Sequence, residues 1–126
     1  MTPALSEDNV SLYINNKIPG VNLKRFDIVY ADRKGDNQVT KRVVGLPGEH
    51  IEIRGFDIYI NGNKIDNPYI IYNTEKPISE PFDNIILEED EYFLMGDNQA
   101  VSRDSRSYGP VKDSEIIGKY LWHMDI

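Results

Sequence analysis

Lys41 is the first residue whose surroundings favour chemistry. It lies in a β-branched, mostly apolar segment, residues 39–44, and alternate side chains of an extended segment share one face. Val39 and Val43 therefore flank Lys41 on its own face. Apolar surroundings withdraw water from an ammonium group and favour the neutral amine, which is the form that acts as a general base. The ordinary alternative is a strand lysine that reaches solvent or protects a sheet edge.

A polar loop, residues 96–110, is the second segment that could do chemistry. It holds hydroxyl, carboxylate and guanidinium groups close enough in sequence to form an internal network. Asp104 and Arg106 can form a charge-assisted pair that would stiffen the loop, and Ser102 would then be presented to a neighbouring segment. The alternative is a polar surface turn without a chemical role.

Composition excludes several other kinds of site. The chain has no cysteine, so disulfides, a thiolate nucleophile and Cys-ligated zinc are excluded. His50 and His123 are far apart and do not form a metal-binding spacing, so we expect no metal. The 14 Lys and Arg against 21 Asp and Glu leave a net charge of −7, which argues against a nucleic-acid partner. No apolar run reaches the roughly 18 residues of a membrane span.

The elements that must position these segments are mostly short strands. The pair Asn61-Gly62 predicts a tight type I′ hairpin. Helix signals are poor, and the best is a single turn over residues 114–117. We expect residues 73–84 to form an exposed loop, and the whole chain, residues 1–126, to form one all-β domain of folded antiparallel sheets or a barrel with little helix. Alternating or compact apolar runs predict strands at residues 26–31, 39–44, 50–54, 56–60, 91–95 and 119–122, with a weaker one at 69–72.

Three of these segments together resemble the bacterial type I signal peptidases, Ser/Lys enzymes that remove signal peptides from exported proteins. Residues 41–49 (KRVVGLPGE) resemble the family's lysine box, with Glu49 where Asp is usual. Residues 96–111 resemble the box that reads GDN, then S, DSR and F or Y followed by GPV. Residues 26–29 (FDIV) resemble a third box, with Phe26 where Gly is usual. The resemblance extends over nearly the whole chain.

The amino terminus departs from the family pattern. Residues 1–5 (MTPAL) match the end of the nucleophile box S-M-x-P-T-L, with Ala4 for Thr, so the nucleophilic serine would precede Met1. That serine and the family's upstream membrane anchor are absent from these residues. The parent protein either carries the serine or has another residue there, as in signal-peptidase-like proteins of Gram-positive pilus assembly, some of which lack catalytic residues. Ser6 and Ser102 are poor substitutes for the nucleophile.

The resemblance implies a Ser/Lys mechanism. Lys41 would take the proton of the serine and later donate it to the leaving amine, while Ser102 would hydrogen-bond to Lys41 and fix its rotamer. No metal or organic cofactor is implied. Without the nucleophile we expect the chain to lack peptidase activity, because losing that group costs on the order of 10⁶ in rate in a comparable protease. Residues that support the loop would be Gly96, Asp97, Asn98, Asp104 and Arg106.

The resemblance also implies a substrate site, partners and a location. The substrate would add as a strand beside residues 38–40, and a small pocket would favour Ala next to the cleaved bond. The expected partners are signal peptides of exported preproteins or, in the pilus alternative, pilin subunits, at the extracytoplasmic face of the cytoplasmic membrane. A third hypothesis is an unrelated peptide-binding β domain. The residues implied in substrate binding are Met1, Leu5, Gln38, Val39 and Thr40.

Overall fold

The computed structural model describes residues 11–15, 23–33, 37–69, 80–97 and 103–122. Within them lie ten strands, a one-turn α-helix and a one-turn 3₁₀ helix. The strands are β1 Ser11–Asn15, β2 Ile28–Arg33, β3 Asn37–Gly45, β4 His50–Arg54, β5 Asp57–Ile60, β6 Asn63–Ile65, β7 Asn84–Ile86, β8 Glu91–Met95, β9 Val111–Lys112 and β10 Ile116–Trp122. Helix α1 spans Ser105–Tyr108, and the 3₁₀ helix spans Asp113–Glu115.

The strands form two antiparallel sheets. The larger sheet has the order β1-β10-β2-β3-β8-β9, and the smaller has the order β6-β5-β4-β7. β3 connects them, because it pairs with β2 and β8 in the larger sheet and leads through a turn into β4 of the smaller. The predicted all-β class with antiparallel sheets and little helix is confirmed.

Two apolar clusters lie on opposite sides of β3 and β8, because neighbouring side chains of a strand point to opposite faces. Val43 and Val44 are consecutive in β3, yet each belongs to a different cluster. The first cluster fills the space between the two sheets and consists of Val44, Ile51, Ile53, Ile58, Ile60, Leu87, Phe93 and Met95. The second cluster lies on the other face of the larger sheet and consists of Val29, Ala31, Val43, Leu94, Val111 and Ile116.

Two turns decide where neighbouring strands begin and end. Asn61 and Gly62 have φ of 51° and 85°, which is the left-handed conformation that a type I′ hairpin requires, so the predicted hairpin between β5 and β6 is confirmed. The strand predicted at residues 26–31 begins two residues later, at Ile28. Phe26 has φ of 75° and therefore belongs to a turn, since a left-handed residue cannot continue an extended strand.

The helical elements differ from the sequence prediction. The turn predicted at residues 114–117 is wrong in extent, because the 3₁₀ helix ends at Glu115 and Ile116 begins β10. Ile116 is buried and pairs with Ala31 of β2, so sheet pairing outweighs the local helix signal. Helix α1, inside the polar loop, was not predicted. None of the helices in the described residues is long and apolar enough to cross a membrane.

The predicted loop and the weak strand lie partly outside the described residues. Of the strand expected at residues 69–72, only Tyr69 is described, and it lies in a turn. Of the loop expected at residues 73–84, the described part starts at Glu80, and Asn84 already belongs to β7.

Candidate active site

Lys41 lies in the middle of β3 and is only 6% exposed. β2 places Val29, which is fully buried, directly opposite. Val39 and Val43, on either side of Lys41 along its own face, pack in the second cluster. The apolar surroundings that alternation predicts for this lysine are therefore present.

Arg42 follows Lys41 in β3 and forms a buried ion pair with Asp97, two residues after the end of β8. Its Nε and Nη2 donate to the two carboxylate oxygens at 2.9 and 3.0 Å, and its Nη1 donates to the carbonyl oxygen of Phe26 at 2.9 Å. The ring of Tyr69 covers the guanidinium, with 3.8 Å between Cζ and the ring centroid. The pair attaches the start of the polar loop to the strand that carries Lys41.

Asp104 closes the other end of the loop. Its carboxylate is fully buried and accepts hydrogen bonds from the Gly96 N–H at 3.1 Å and from Nε and Nη2 of Arg106, each at 2.9 Å. The predicted Asp104–Arg106 pair is confirmed. Asp104 also caps α1 by accepting the Arg106 N–H at 3.1 Å. One carboxylate therefore binds both Gly96, at the start of the loop, and Arg106, near its end.

Ser105 is a second anchor of the loop. Its Oγ is buried and accepts the N–H of Leu94 in β8 at 2.9 Å. Ser105 and Arg42 were not predicted as site residues. Both lie within the family boxes, which is the signal that could have identified them, but their partners are distant in sequence.

Glu49, where the resembling family usually has Asp, closes the turn after β3. It binds Arg25 with both oxygens at 2.8 and 2.7 Å and accepts the Leu46 N–H at 2.7 Å. Arg25 also donates to the carbonyl oxygen of Val44 at 2.8 Å. Burial by itself would raise the pKa of Glu49, but the hydrogen bonds from Arg25 and Leu46 and the charge of Arg25 together lower it. Glu49 is therefore held as a carboxylate.

The first half of β3 has an open edge. Gln38 is exposed, and Val39 and Thr40 are half-buried. β2 pairs with β3 along this stretch, whereas the pairing with β8 starts only at Arg42. In the described part of the chain, no strand pairs with residues 38–40 on the side away from β2. Free backbone groups of this kind can accept an extended peptide as an added strand.

The described site thus brings together Lys41, the open edge and the two ends of the polar loop. Among the residues predicted from the sequence, Gly96, Asp97, Asp104 and Arg106 lie at the ends of the loop, and they are all buried. The remaining predicted site residues lie outside the described residues; these are Met1, Leu5, Asn98 and Ser102.

Comparisons with known proteins agree with this architecture. The chain is 35% identical to signal peptidase IB of Staphylococcus aureus over 107 residues, which are 73% of this chain and 55% of that protein. It is 36% identical to signal peptidase I P of Bacillus subtilis subsp. natto over 115 residues, which are 85% of this chain and 61% of that protein. The chain therefore spans somewhat more than half the length of these curated relatives.

A solved structure and a family description extend the comparison. The crystal structure of a signal peptidase I from Enterococcus faecalis V583 superposes with a TM-score of 0.66 at 31% identity and covers 79% of this chain and 97% of that one. Residues 1–124 match the family described as signal peptidase, peptidase S26. Because that match extends over almost every residue, the chain belongs to the signal peptidase I family, peptidase S26.

Proposed function

We propose that the protein is a signal peptidase of the Ser/Lys type, in which Lys41 is the general base for a serine at the position before Met1. The observation that carries the proposal is the buried setting of Lys41 between Val39 and Val43, beside an open strand edge.

The proposed reaction proceeds in two stages. The neutral amine of Lys41 takes the proton of the serine hydroxyl as the serine oxygen bonds to the carbonyl carbon of the substrate. The resulting ammonium then donates that proton to the leaving amine as the peptide bond breaks, which leaves an acyl-enzyme. In the second stage Lys41 takes a proton from water, the water oxygen attacks the ester, and the proton returns to the serine. Ser102 would orient the amine of Lys41 throughout.

The two ends of the polar loop support this assignment. Asp97 binds Arg42, the residue next to Lys41, and Asp104 binds Gly96 and Arg106. These buried contacts hold Asp97 and Asp104 in place, and these two residues flank the segment that carries Asn98 and Ser102 in the sequence. Such positioning matters because a displacement of about 1 Å from productive geometry can reduce a catalytic rate about 100-fold.

The proposed substrates are signal peptides of exported preproteins. An extended peptide would pair with residues 38–40 at the open edge, and a small pocket lined by Met1, Leu5, Val39 and Thr40 would favour Ala beside the cleaved bond. The similarity to proteins named signal peptidases supports this substrate class. The proposed location is the extracytoplasmic face of the cytoplasmic membrane, with an anchor upstream of Met1.

The experiment starts from the parent gene, where the codon before the position of Met1 is read. The protein is then assembled with serine at that position and with its upstream anchor, and cleavage of a preprotein whose signal peptide ends in Ala-x-Ala is measured. We expect Lys41→Ala to reduce the rate at least about 100-fold, and Lys41→Arg to fail as well because a guanidinium stays protonated. Lys64→Ala, which removes an exposed lysine from β6, is the matched control and should cleave normally.

The outcomes separate the proposal from its alternative, a non-proteolytic scaffold that binds pilin subunits. Cleavage that depends on Lys41 supports the peptidase. If the native residue before Met1 is not serine, and introducing serine gives no cleavage, the open edge serves binding alone and capture of pilin subunits becomes the relevant assay. Normal cleavage by Lys41→Ala would show that Lys41 is not the general base.

A further inference from the structure

Arg33 at the end of β2 stacks on the ring of Tyr108 at the end of α1. The guanidinium Cζ lies 3.4 Å from the ring centroid, which is within the range of a strong cation–π contact. Within the described residues Arg33 forms no ion pair. The guanidinium is therefore held in place by the ring while its N–H donors are not used by a carboxylate of the described fold.

Arg33 lies on the same face of the larger sheet as Lys41. In the β2–β3 register Val29 is opposite Lys41, and Arg33 is opposite Asn37. Each such pair belongs to a row of residues that runs across the strands. The row of Lys41 and the row of Arg33 are four residues apart, so their side chains share a face, and the rows are about 13 Å apart at ~3.3 Å per residue. Tyr108 packs against the second apolar cluster, which contains Val29, so the Arg33–Tyr108 stack lies on this face too.

The stack is suited to binding a carboxylate. A guanidinium that rests on an aromatic face still presents a planar edge of N–H donors, and this edge matches the two oxygens of a carboxylate. Burial, and then the charge of Asp104, raise the pKa of Tyr108 to about 12, so the ring stays neutral at physiological pH. The positive charges of Arg33 and Arg103 act on the Tyr108 hydroxyl in the opposite direction and partly offset this rise.

We propose that Arg33, supported by Tyr108, determines specificity by binding an acidic side chain of the peptide, four residues from the peptide residue that lies beside Lys41. The inference rests on the proposed function, because it uses the peptide strand at the open edge of residues 38–40. Side chains of that strand would repeat on one face every second residue. The peptide residue in the row of Lys41 and the residue four positions away, in the row of Arg33, would therefore face the same side.

The test measures binding, so that it does not depend on the nucleophile. Fluorescent peptides that contain Ala-x-Ala carry Glu or Gln four residues to the amino-terminal side, or four residues to the carboxyl-terminal side, of the second Ala. Their affinities for the 126-residue chain are measured by anisotropy. The direction of the bound peptide decides which of the two positions lies near Arg33. At that position we expect the Glu peptide to bind about tenfold more tightly than the Gln peptide, as one charge-assisted contact would produce.

Variants identify the residue responsible. Arg33→Gln should remove the preference for Glu, and Arg33→Glu should reverse it in favour of a peptide with Lys at the same position. Tyr108→Leu should weaken the preference, and the conservative Tyr108→Phe should restore it. Arg54→Gln is the matched control, because Arg54 also lies over a tyrosine ring, with Cζ 5.0 Å from the centroid of Tyr59, but on the smaller sheet. It should keep the preference.

Equal affinities for Glu and Gln at both positions would overturn the inference, as would no measurable binding of any peptide. A preference that survives in Arg33→Gln would also overturn it. Cleavage that depends on Lys41 without any Glu preference would remove the inference and leave the proposed function. A preference for Glu that depends on Arg33, in a protein that does not cleave, would support the inference and contradict the proposed function.

Discussion

Arg42 and Asp97 form a buried ion pair between residues that are 55 positions apart in the chain. The guanidinium side chain is 3% exposed and the carboxylate side chain 10% exposed. Arg42 adjoins Lys41, and Asp97 begins the loop that contains Ser102. One contact therefore holds Asp97, just after the end of β8, against the strand that carries Lys41.

Removing one partner of this ion pair should strongly destabilise the fold. Asp97→Ala leaves the Arg42 guanidinium buried without its carboxylate, and we expect the free energy of unfolding in urea to fall by about 3–5 kcal/mol. Replacing both residues, with Arg42→Met added, should recover part of the loss. Glu52→Ala is the control, because it breaks a pair in which Arg54 is 64% exposed and should cost at most about 1 kcal/mol. Equal losses for Asp97→Ala and Glu52→Ala would contradict the prediction.

Phe26 should carry backbone strain. It is a bulky residue at φ 75°, where a side chain costs about 1–2 kcal/mol relative to glycine, and the resembling family usually has Gly there. Its ring also contacts Tyr69, with 5.7 Å between centroids, which partly offsets the strain. In a Tyr69→Ala background, where that contact is absent, Phe26→Gly should therefore raise the free energy of unfolding by about 1 kcal/mol.

The control for Phe26 is Phe56, another phenylalanine in a turn, which is not among the residues of positive φ. Phe56→Gly should lower stability, because glycine there adds freedom to the unfolded chain without relieving strain. A loss of stability from Phe26→Gly in the Tyr69→Ala background would show that the left-handed conformation is not strained.

Glu49 should make stability depend on acidic pH. Its folded pKa lies below its unfolded value of about 4.3, because its hydrogen bonds from Arg25 and Leu46 outweigh the effect of burial. The folded state then binds the proton less readily than the unfolded state. This contribution is fully present above the unfolded pKa and disappears as the pH falls through that value and then through the folded pKa.

The comparison for Glu49 uses Glu49→Gln, followed by urea unfolding between about pH 6 and pH 3. The variant should be less stable than the unmodified chain at the upper end of the range, and the difference should shrink towards the lower end. Glu52→Gln is the control, because it breaks only a pair with the exposed Arg54, and it should lower stability less than Glu49→Gln. A constant difference between Glu49→Gln and the unmodified chain would mean that the charge of Glu49 does not stabilise the turn.

Tyr108→Phe should increase stability. The Tyr108 hydroxyl oxygen is buried and has no hydrogen-bond partner among the described residues. Removing an unpaired buried hydroxyl should add about 1 kcal/mol to the free energy of unfolding, and the resembling family accepts Phe at this position. Tyr59→Phe is the comparison, because the Tyr59 hydroxyl is not among the buried polar atoms of the described residues that lack a partner; it should be neutral or slightly destabilising. A loss of stability in Tyr108→Phe would reveal a partner for the hydroxyl.

Local sequence rules were reliable where a structure depends on neighbouring residues. The alternation in residues 50–54 and the apolar run in residues 91–95 matched β4 and β8 at both ends. The rules failed at Ile116, whose helix-like context is overruled by pairing with β2. They also missed α1, because a single turn is stabilised by the Asp104 cap and buried side chains rather than by helix propensity.

The sequence by itself determined the all-β class, the hairpin at Asn61-Gly62, the apolar flanks of Lys41 and the family. Each of these depends on residue types close together in the chain or on the order of the boxes. Only the tertiary structure decided which side chains meet: Arg42 with Asp97, and Arg33 with Tyr108. These partners come from separate elements whose distance is set by sheet register and core packing, and no local pattern specifies that distance.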